Sequence, residues 1–497
     1  MIARLARWRH ILLVLALATL HMFVWERGLA GDGWGYFSTL ESMIEDHDLD
    51  LTNNRYGVTN GLSYHSETQQ WVAQYPPGLA LFDAPFYLLG KLAYRTGLVR
   101  PAIDPGKMRP AYEKVGQETL TLILFVVLAH NVYAALAIIL IYATLRRLRF
   151  PAGWAALVAG LSFFGSPLHF YAQNGMSHAV SCFAAAATAR VLAGLCMTPE
   201  GRARRWVWLG VTVGAGAVVR YASALLSVAV GLVLLVLERR RPGRLIGMGL
   251  LYSAGLFAVI WILPVYLKLQ IGDWFGSTYS PKWNFDPAAP PLVNVLFAAR
   301  HGFLWYHPLY WLAFPGIAVA LLARKRADPA GAARALMSGA GLAALLALGL
   351  IYGYWFAWWG GDSYSQRFLT DAVPFLACPL AVFLTGGRPA LRVSFAIALV
   401  AISYVFFLLS NAGLVYDVVP QGPGQTISDY RYVLDQGMSA GEIGRRLREA
   451  SFTLPILQRF LAAVAAGAAL VIGGYLWLGT VSARHDGGPG RPARRET

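Results

Sequence analysis

Short basic clusters recur along this chain with apolar sequence between them, at Arg146-Arg147-Leu148-Arg149, Arg202 to Arg205, Arg239-Arg240-Arg241, Arg324-Lys325-Arg326, Arg388 to Arg392, and in a tail from Arg484 to Arg495. Each interval holds enough apolar sequence to cross and return, although between Arg205 and Arg239 each arm falls short of the roughly 20 residues of a full helical span. The clusters therefore all lie on one side, and lysine and arginine accumulate on the cytoplasmic side. The same rule puts the N-terminus, with Arg4, Arg7 and Arg9, in the cytoplasm. The pattern predicts an all-α polytopic membrane protein of about twelve spans with both termini cytoplasmic.

Composition agrees. Of the 497 residues 57% are apolar and 14% charged, with a mean hydropathy of +0.48, which excludes a string of soluble domains. The net charge of +16 would suggest nucleic acid in a soluble chain. Here it is carried by the cytoplasmic clusters, so no nucleic-acid partner is expected. Cys182, Cys196 and Cys378 all lie in apolar stretches and suggest neither a disulfide framework nor a thiolate metal site.

The expected order is a first transmembrane helix over 1–25, a long outer loop over 26–117, and a bundle over 118–412 with outer loops at about 267–302 and 357–368. An outer loop over 413–456, a last span over 457–480 and a disordered cytoplasmic tail over 481–497 follow. Gly28-Leu29-Ala30 resembles a processing site, so a cleaved signal peptide is the rival reading of the first span. In the first outer loop, Pro76 to Tyr94 is half apolar and interrupted by Asp83 and Lys91. It is expected to lie in the outer interface as a helix whose charges snorkel to water.

The apolar run Trp206 to Leu237 is bounded by basic clusters at both ends and must return to the side it left. As one helix its 32 residues would reach about 48 Å and end on the wrong side. It must turn near Val219-Arg220-Tyr221, and each arm is short, so Arg220 is expected at the tip of a shallow hairpin near the depth of lipid phosphates.

Four outer constellations carry possible chemistry. Asp32, in Gly31-Asp32-Gly33-Trp34-Gly35-Tyr36, can be a general base at the water–lipid boundary or simply the N-cap of a following helix. Tyr75-Pro76-Pro77-Gly78 reads as the start of the interfacial helix, proline suiting a first helical turn. In Ser166-Pro167-Leu168-His169 through His178, His178 can donate to a phosphate or cap a helix. In the fourth, Trp358-Trp359-Gly360-Gly361 breaks an aromatic run six residues before Arg367; Arg300, His301 and His307 can face the same region. Glu45, Asp46, Asp48 and Asp50 have oxygen ligands but lack the loop glycine of a calcium-binding hand, and read as a solvated loop. Asp32, His178, Arg220 and Arg367, from four separate regions, are thus all placed by topology in the outer interfacial layer, where ionisable groups are functional candidates. One carboxylate with several cations suits a phosphate-bearing lipid whose leaving group must be stabilised while a nucleophile loses a proton.

This arrangement resembles the GT-C superfamily of integral membrane glycosyltransferases, in particular the branch of protein O-mannosyltransferases and the lipid A aminoarabinose transferase. Gly31-Asp32-Gly33, Tyr75-Pro76-Pro77, Ser166-Pro167-Leu168 and Arg220 carry the likeness, over roughly the first 240 residues. The lysine that often precedes the proline pair in that branch is absent, as is an acidic residue at Met176-Ser177-His178. The resemblance implies a GT-C-like bundle with interfacial helices in the first outer loop and inverting transfer of a sugar from a polyprenyl-phosphate donor to an acceptor hydroxyl on a glycan, lipid or protein. It implies Asp32 as base, with Arg220, Arg367 and His178 on the donor phosphate. Tyr75, Trp358, Trp359, Gly360, Gly361 and His307 would line the pocket. No cofactor is required, and a divalent cation is admitted. In a bacterium the site would be periplasmic, in the cytoplasmic membrane. A transporter or flippase for lipid-linked saccharide, or an oligosaccharide ligase, are the alternatives; the missing internal repeat argues against a transporter.

Overall fold

The structure is a computed structural model and describes residues 2–24, 28–29, 31–56, 61–99, 115–198, 202–279, 285, 291–298, 301–323, 328–355, 357–360 and 364–411. The expected outer loop 413–456, last span 457–480 and tail 481–497 lie outside them, as does the Arg324-Lys325-Arg326 cluster.

Helix α1 (Ile2–Val24) is followed by α2 (Gly33–Glu41) and a π-helical turn (Ser42–Asp46). Strands β1 (Leu62–His65) and β2 (Gln70–Ala73) form one antiparallel hairpin, the sole departure from all-α structure among the described residues apart from an isolated Phe285–Trp355 bridge. Next come α3 (Gly78–Arg95), α4 (Gln117–Arg147), α5 (Ala152–Phe164), the short α6 (Leu168–Tyr171) and α7 (His178–Met197). Helices α8 (Arg202–Val219) and α9 (Leu226–Glu238) are joined through Arg220 and a 3-10 turn (Tyr221–Leu225), so the chain reverses where the charge argument requires. Then follow α10 (Pro242–Ile260), α11 (Ile262–Ile271), α12 (Pro291–Phe297) and α13 (Phe303–Tyr306). The last described elements are α14 (Ala313–Leu322), α15 (Pro329–Gly353), α16 (Val373–Thr385), entered through a 3-10 turn (Arg367–Ala372), and α17 (Pro389–Asn411).

The described basic clusters fall at helix ends: Arg146 and Arg147 close α4, Arg202 to Arg205 open α8, Arg239 to Arg241 separate α9 from α10, and Arg388 to Arg392 join α16 to α17. Local chemistry sets several of these boundaries. Pro242 and Pro329 occupy first-turn positions whose amide would have no helical partner, and the Asp328 carboxylate caps α15 through the Ala330 amide. Gly272, at φ 77°, ends α11 in the left-handed region that a side chain would resist.

Seven helices are long and apolar enough to cross a membrane by length and composition, and three shorter apolar helices accompany them. The expected dozen is therefore not reached on that criterion among the described residues. One reason is that α8 carries three arginines in its first turn. Helix α7 packs between α4 and α8, α8 against α10, and α15 against α9 and α16. Around them lies one continuous core that includes Trp206, Phe303, Tyr310 and Phe375. The opposite surfaces of α10, α11 and α17 leave Ile246, Leu250, Phe257, Leu269, Leu391 and Phe395 exposed, an apolar coat suited to hydrocarbon rather than water.

The interfacial helix differs from expectation at one charge. Lys91 does reach out, pairing with Glu45. Asp83 does not snorkel: it is 2% exposed and meets His130 Nε2 of α4 at 3.1 Å, because α3 turns that face onto α4. Burial pushes the Asp83 carboxyl above its ordinary value, against the pull of His130.

Candidate active site

Backbone contact fixes the position of Asp32. A Cβ on Gly33 would stand 2.9 Å from the Asn174 carbonyl oxygen, so this strip lies directly on the loop between α6 and α7. Asp32 precedes α2 at the N-cap position but has helical φ and ψ of −60° and −20° and makes no capping bond. Its carboxylate turns instead to Arg367, with Oδ2 2.8 Å from Nη1.

A second close approach fixes Arg220. A Cβ on Gly78 would fall 2.2 Å from the Val218 oxygen, so the start of α3 rests on the end of α8 with no side chain between them. This accounts for glycine after the proline pair and sets Tyr75 and Pro76 beside the reversal. Arg220 itself is extended, at φ −149° and ψ 118°. It is 7% exposed and directed into the protein. Its Nη2 donates to the Tyr352 hydroxyl at 2.8 Å, and its Nη1 lies 3.6 Å from Asp371 Oδ2. The reason is the bundle around it: α15 brings Tyr352, and the 3-10 turn before α16 brings Asp371. Tyr352 stacks on Phe368 with centroids 4.1 Å apart and planes at 5°, and both Arg220 and Arg367 approach the Phe368 ring, at 5.7 and 5.4 Å.

These groups border a cavity of about 810 Å³. Asp32, His178, Arg220 and Arg367 line it, together with an aromatic wall of Tyr36, Tyr75, Tyr279, Phe285, Tyr352 and Trp355. Tyr36 and Tyr75 stack at 4.8 Å, and Tyr75 meets Tyr279 edge-on at 6.2 Å. The outer segments are tied together here, since Thr278 donates to the Gln74 carbonyl and receives a bond on its own carbonyl from Ser63. Burial, reinforced by the Asp32 carboxylate, pushes the Tyr36 and Tyr75 phenols above their ordinary value, so they remain neutral donors. Three buried nitrogens of the lining side chains, His178 Nδ1, Arg220 Nη1 and Arg367 Nε, have no hydrogen-bond partner among the described residues.

Of the residues singled out from sequence, Asp32, Tyr75, His178, Arg220, Gly360 and Arg367 line this one cavity. Trp358, Trp359 and His307 do not. The turn over Ala357 to Gly360 carries the two tryptophans off the wall, and Trp358 packs on the main core instead. His307 is sealed behind the wall, bonded to Ser365 at 2.9 Å with Tyr364 against its ring. Gly361 and Arg300 lie outside the described residues. His301 is buried and stacks near Tyr306. The acidic stretch is occupied by the protein itself: Tyr87 and Lys91 bind Glu45, Asn53 binds Asp46, Ser42 binds Asp48 and Thr52 binds Asp50. No group of three His, Cys, Asp or Glu placed to hold a metal occurs among the described residues.

Sequence reasoning missed Tyr36, Tyr279, Tyr352, Trp355, Phe368 and Asp371. Helical spacing could have found two of them, since Tyr36 is four residues from Asp32 and Asp371 four from Arg367.

No protein-family model matches this chain, and no curated protein matches it. Solved structures do. ArnT from Cupriavidus metallidurans in the apo state is similar over 94% of this chain and 75% of its own, with a TM-score of 0.47 and 14% identity. The oligosaccharyltransferase AglB from Archaeoglobus fulgidus, in complex with an inhibitory peptide and a dolichol-phosphate, is similar over 87% of this chain and 58% of its own, with a TM-score of 0.46 and 14% identity. The Archaeoglobus fulgidus oligosaccharyltransferase tethered to an acceptor peptide gives 90%, 59%, 0.45 and 12%.

Proposed function

We propose that this protein is an inverting glycosyltransferase that moves a sugar from a polyprenyl-phosphate donor to an acceptor hydroxyl at the outer, periplasmic face of the cytoplasmic membrane. The observation that carries it is the Asp32–Arg367 ion pair on the wall of a cavity that also receives Arg220. A carboxylate beside two guanidinium groups supplies both halves of such a displacement. Asp32 takes the proton of the acceptor hydroxyl as its oxygen bonds to the anomeric carbon. The bond from that carbon to the phosphate oxygen breaks on the opposite face, and the electron pair leaves with the lipid phosphate. Arg220 and Arg367 receive that charge, with His178 as a further donor, and guanidinium suits phosphate because its planar fork can make two bonds at once. The neutral tyrosines give the sugar hydroxyls an aromatic, hydrogen-bonding wall.

The test is incubation of the purified protein in lipid nanodiscs with radiolabelled polyprenyl-phosphate sugars and a panel of glycan, lipid and peptide acceptors. Transfer of label with inversion, abolished in Asp32→Asn, is the expected result. Label that crosses the bilayer of a reconstituted vesicle still on its lipid, with no transfer, would support the flippase reading instead.

A further inference from the structure

Asp371 is an acid that the proposed chemistry does not use. It lies in the 3-10 turn Arg367–Ala372, is 1% exposed and does not line the cavity. A carboxylate in an otherwise apolar segment is expensive, so its retention calls for a cause. Its two oxygens are both engaged: Ser181 of α7 donates to Oδ1 at 2.6 Å and Ser223 donates to Oδ2 at 2.6 Å. Buried and off the cavity lining, it has no oxygen directed at a substrate. Ser223 belongs to the turn that holds Arg220, its amide donating to the Arg220 carbonyl at 2.9 Å. Carboxylate, serine and arginine form a closed circuit: Asp371 faces the guanidinium, Ser223 fixes Asp371, and the Arg220 backbone fixes Ser223.

The length of the ion pair matters. At 3.6 Å it lies beyond a hydrogen bond, and Arg220 Nη1 has no hydrogen-bond partner among the described residues. The charge of Asp371 holds the guanidinium without occupying its hydrogens, while Tyr352 holds the other nitrogen.

We propose that Asp371 is a positioning residue that keeps the Arg220 guanidinium at the cavity wall, ready for the phosphate of a lipid-linked donor. This inference rests on the proposed function, which supplies the phosphate.

The full-length protein in nanodiscs is titrated with a long-chain polyprenyl monophosphate and followed by native mass spectrometry, for wild type, Asp371→Asn, Arg220→Gln and the double variant. Asp371→Asn should weaken binding about tenfold, as loss of a group that orients a binding residue commonly does. The double variant should bind no more weakly than Arg220→Gln alone, because the positioning has nothing left to act on. In turnover the donor KM should rise and the acceptor KM stay unchanged, a split that general loosening of the fold would not produce. Unchanged affinity in Asp371→Asn, or full additivity in the double variant, would overturn the inference. If Asp371→Asn does not accumulate, Ser223→Ala keeps the charge and removes one tether; a loss of about threefold supports the inference and no loss overturns it. A wild-type protein that binds no polyprenyl phosphate would instead remove the proposed function, and the inference with it.

Discussion

Asp32 and Asp371 are both acids paired with an arginine, yet they sit in opposite circumstances. Asp32 has a 22% exposed side chain, opens on the cavity and touches Arg367 directly. Asp371 is sealed, its two oxygens are taken by serine hydroxyls, and its arginine stands further off. An arginine partner thus says little about what a carboxylate does; whether an oxygen remains open to a substrate says more. The first faces the cavity, and the second is held in place behind its wall.

That contrast breaks most visibly at Asp32. Replacing it with asparagine should cut turnover about 10²- to 10⁴-fold, the usual worth of a general base, with polyprenyl-phosphate binding largely retained in the same preparation. If Asp371→Asn cost more turnover than Asp32→Asn, the division between the two acids would be wrong. Arg367→Gln comes next: it removes the partner of Asp32 and the phosphate stabilisation proposed for that guanidinium, and a loss of about 10²-fold in kcat/KM for the donor is expected in steady-state assays. A smaller effect belongs to the aromatic wall. Tyr75→Ala forfeits the stack on Tyr36, worth about 1 kcal/mol, and should raise the donor KM roughly fivefold, while Tyr75→Phe keeps the stack, loses only the hydroxyl and should raise it less.

The smallest effect comes from a third acid that sharpens the comparison. Glu41 is buried in the first outer loop, accepting from Tyr56 at 2.6 Å and Asn54 at 3.2 Å. Burial pushes its carboxyl above the ordinary value although both hydrogen bonds oppose that rise. The folded state then holds the proton more tightly than the unfolded one. The stability that this group contributes is complete below the ordinary carboxyl range and is lost as pH rises through the raised value. Thermal unfolding of Glu41→Gln should accordingly fall less than wild type between acidic and neutral pH, by no more than about 1 kcal/mol, with turnover unaffected.

Much of this was legible in one dimension. Charge clusters mark helix ends because lysine and arginine resist translocation, and the hairpin at Arg220 follows from the length of a run whose two ends they hold on one side. Asp32, Arg220 and Arg367 stand out because charges beside apolar runs have few bland explanations. Asp371 did not, because four residues after Arg367 it reads as the edge of the same polar loop, and its serines come from two other elements. The tryptophans misled for the opposite reason. Trp355, Trp358 and Trp359 look alike in an aromatic run, and only the backbone turn over Ala357 to Gly360 decides that Trp355 alone of the three reaches the wall. Asp83 was misread because the face of an isolated interfacial helix does not reveal that His130 waits on α4.

The bare contact between Gly78 and Val218 has a mechanical meaning. Side chains between two helices act as cushions, yielding by rotamer changes when one helix tilts. Here there is no cushion, and the Val218 carbonyl is two residues from Arg220. Helix α3 is thereby coupled stiffly to the segment that carries Arg220 on the cavity wall, so a tilt of α3 is passed to the guanidinium with little damping.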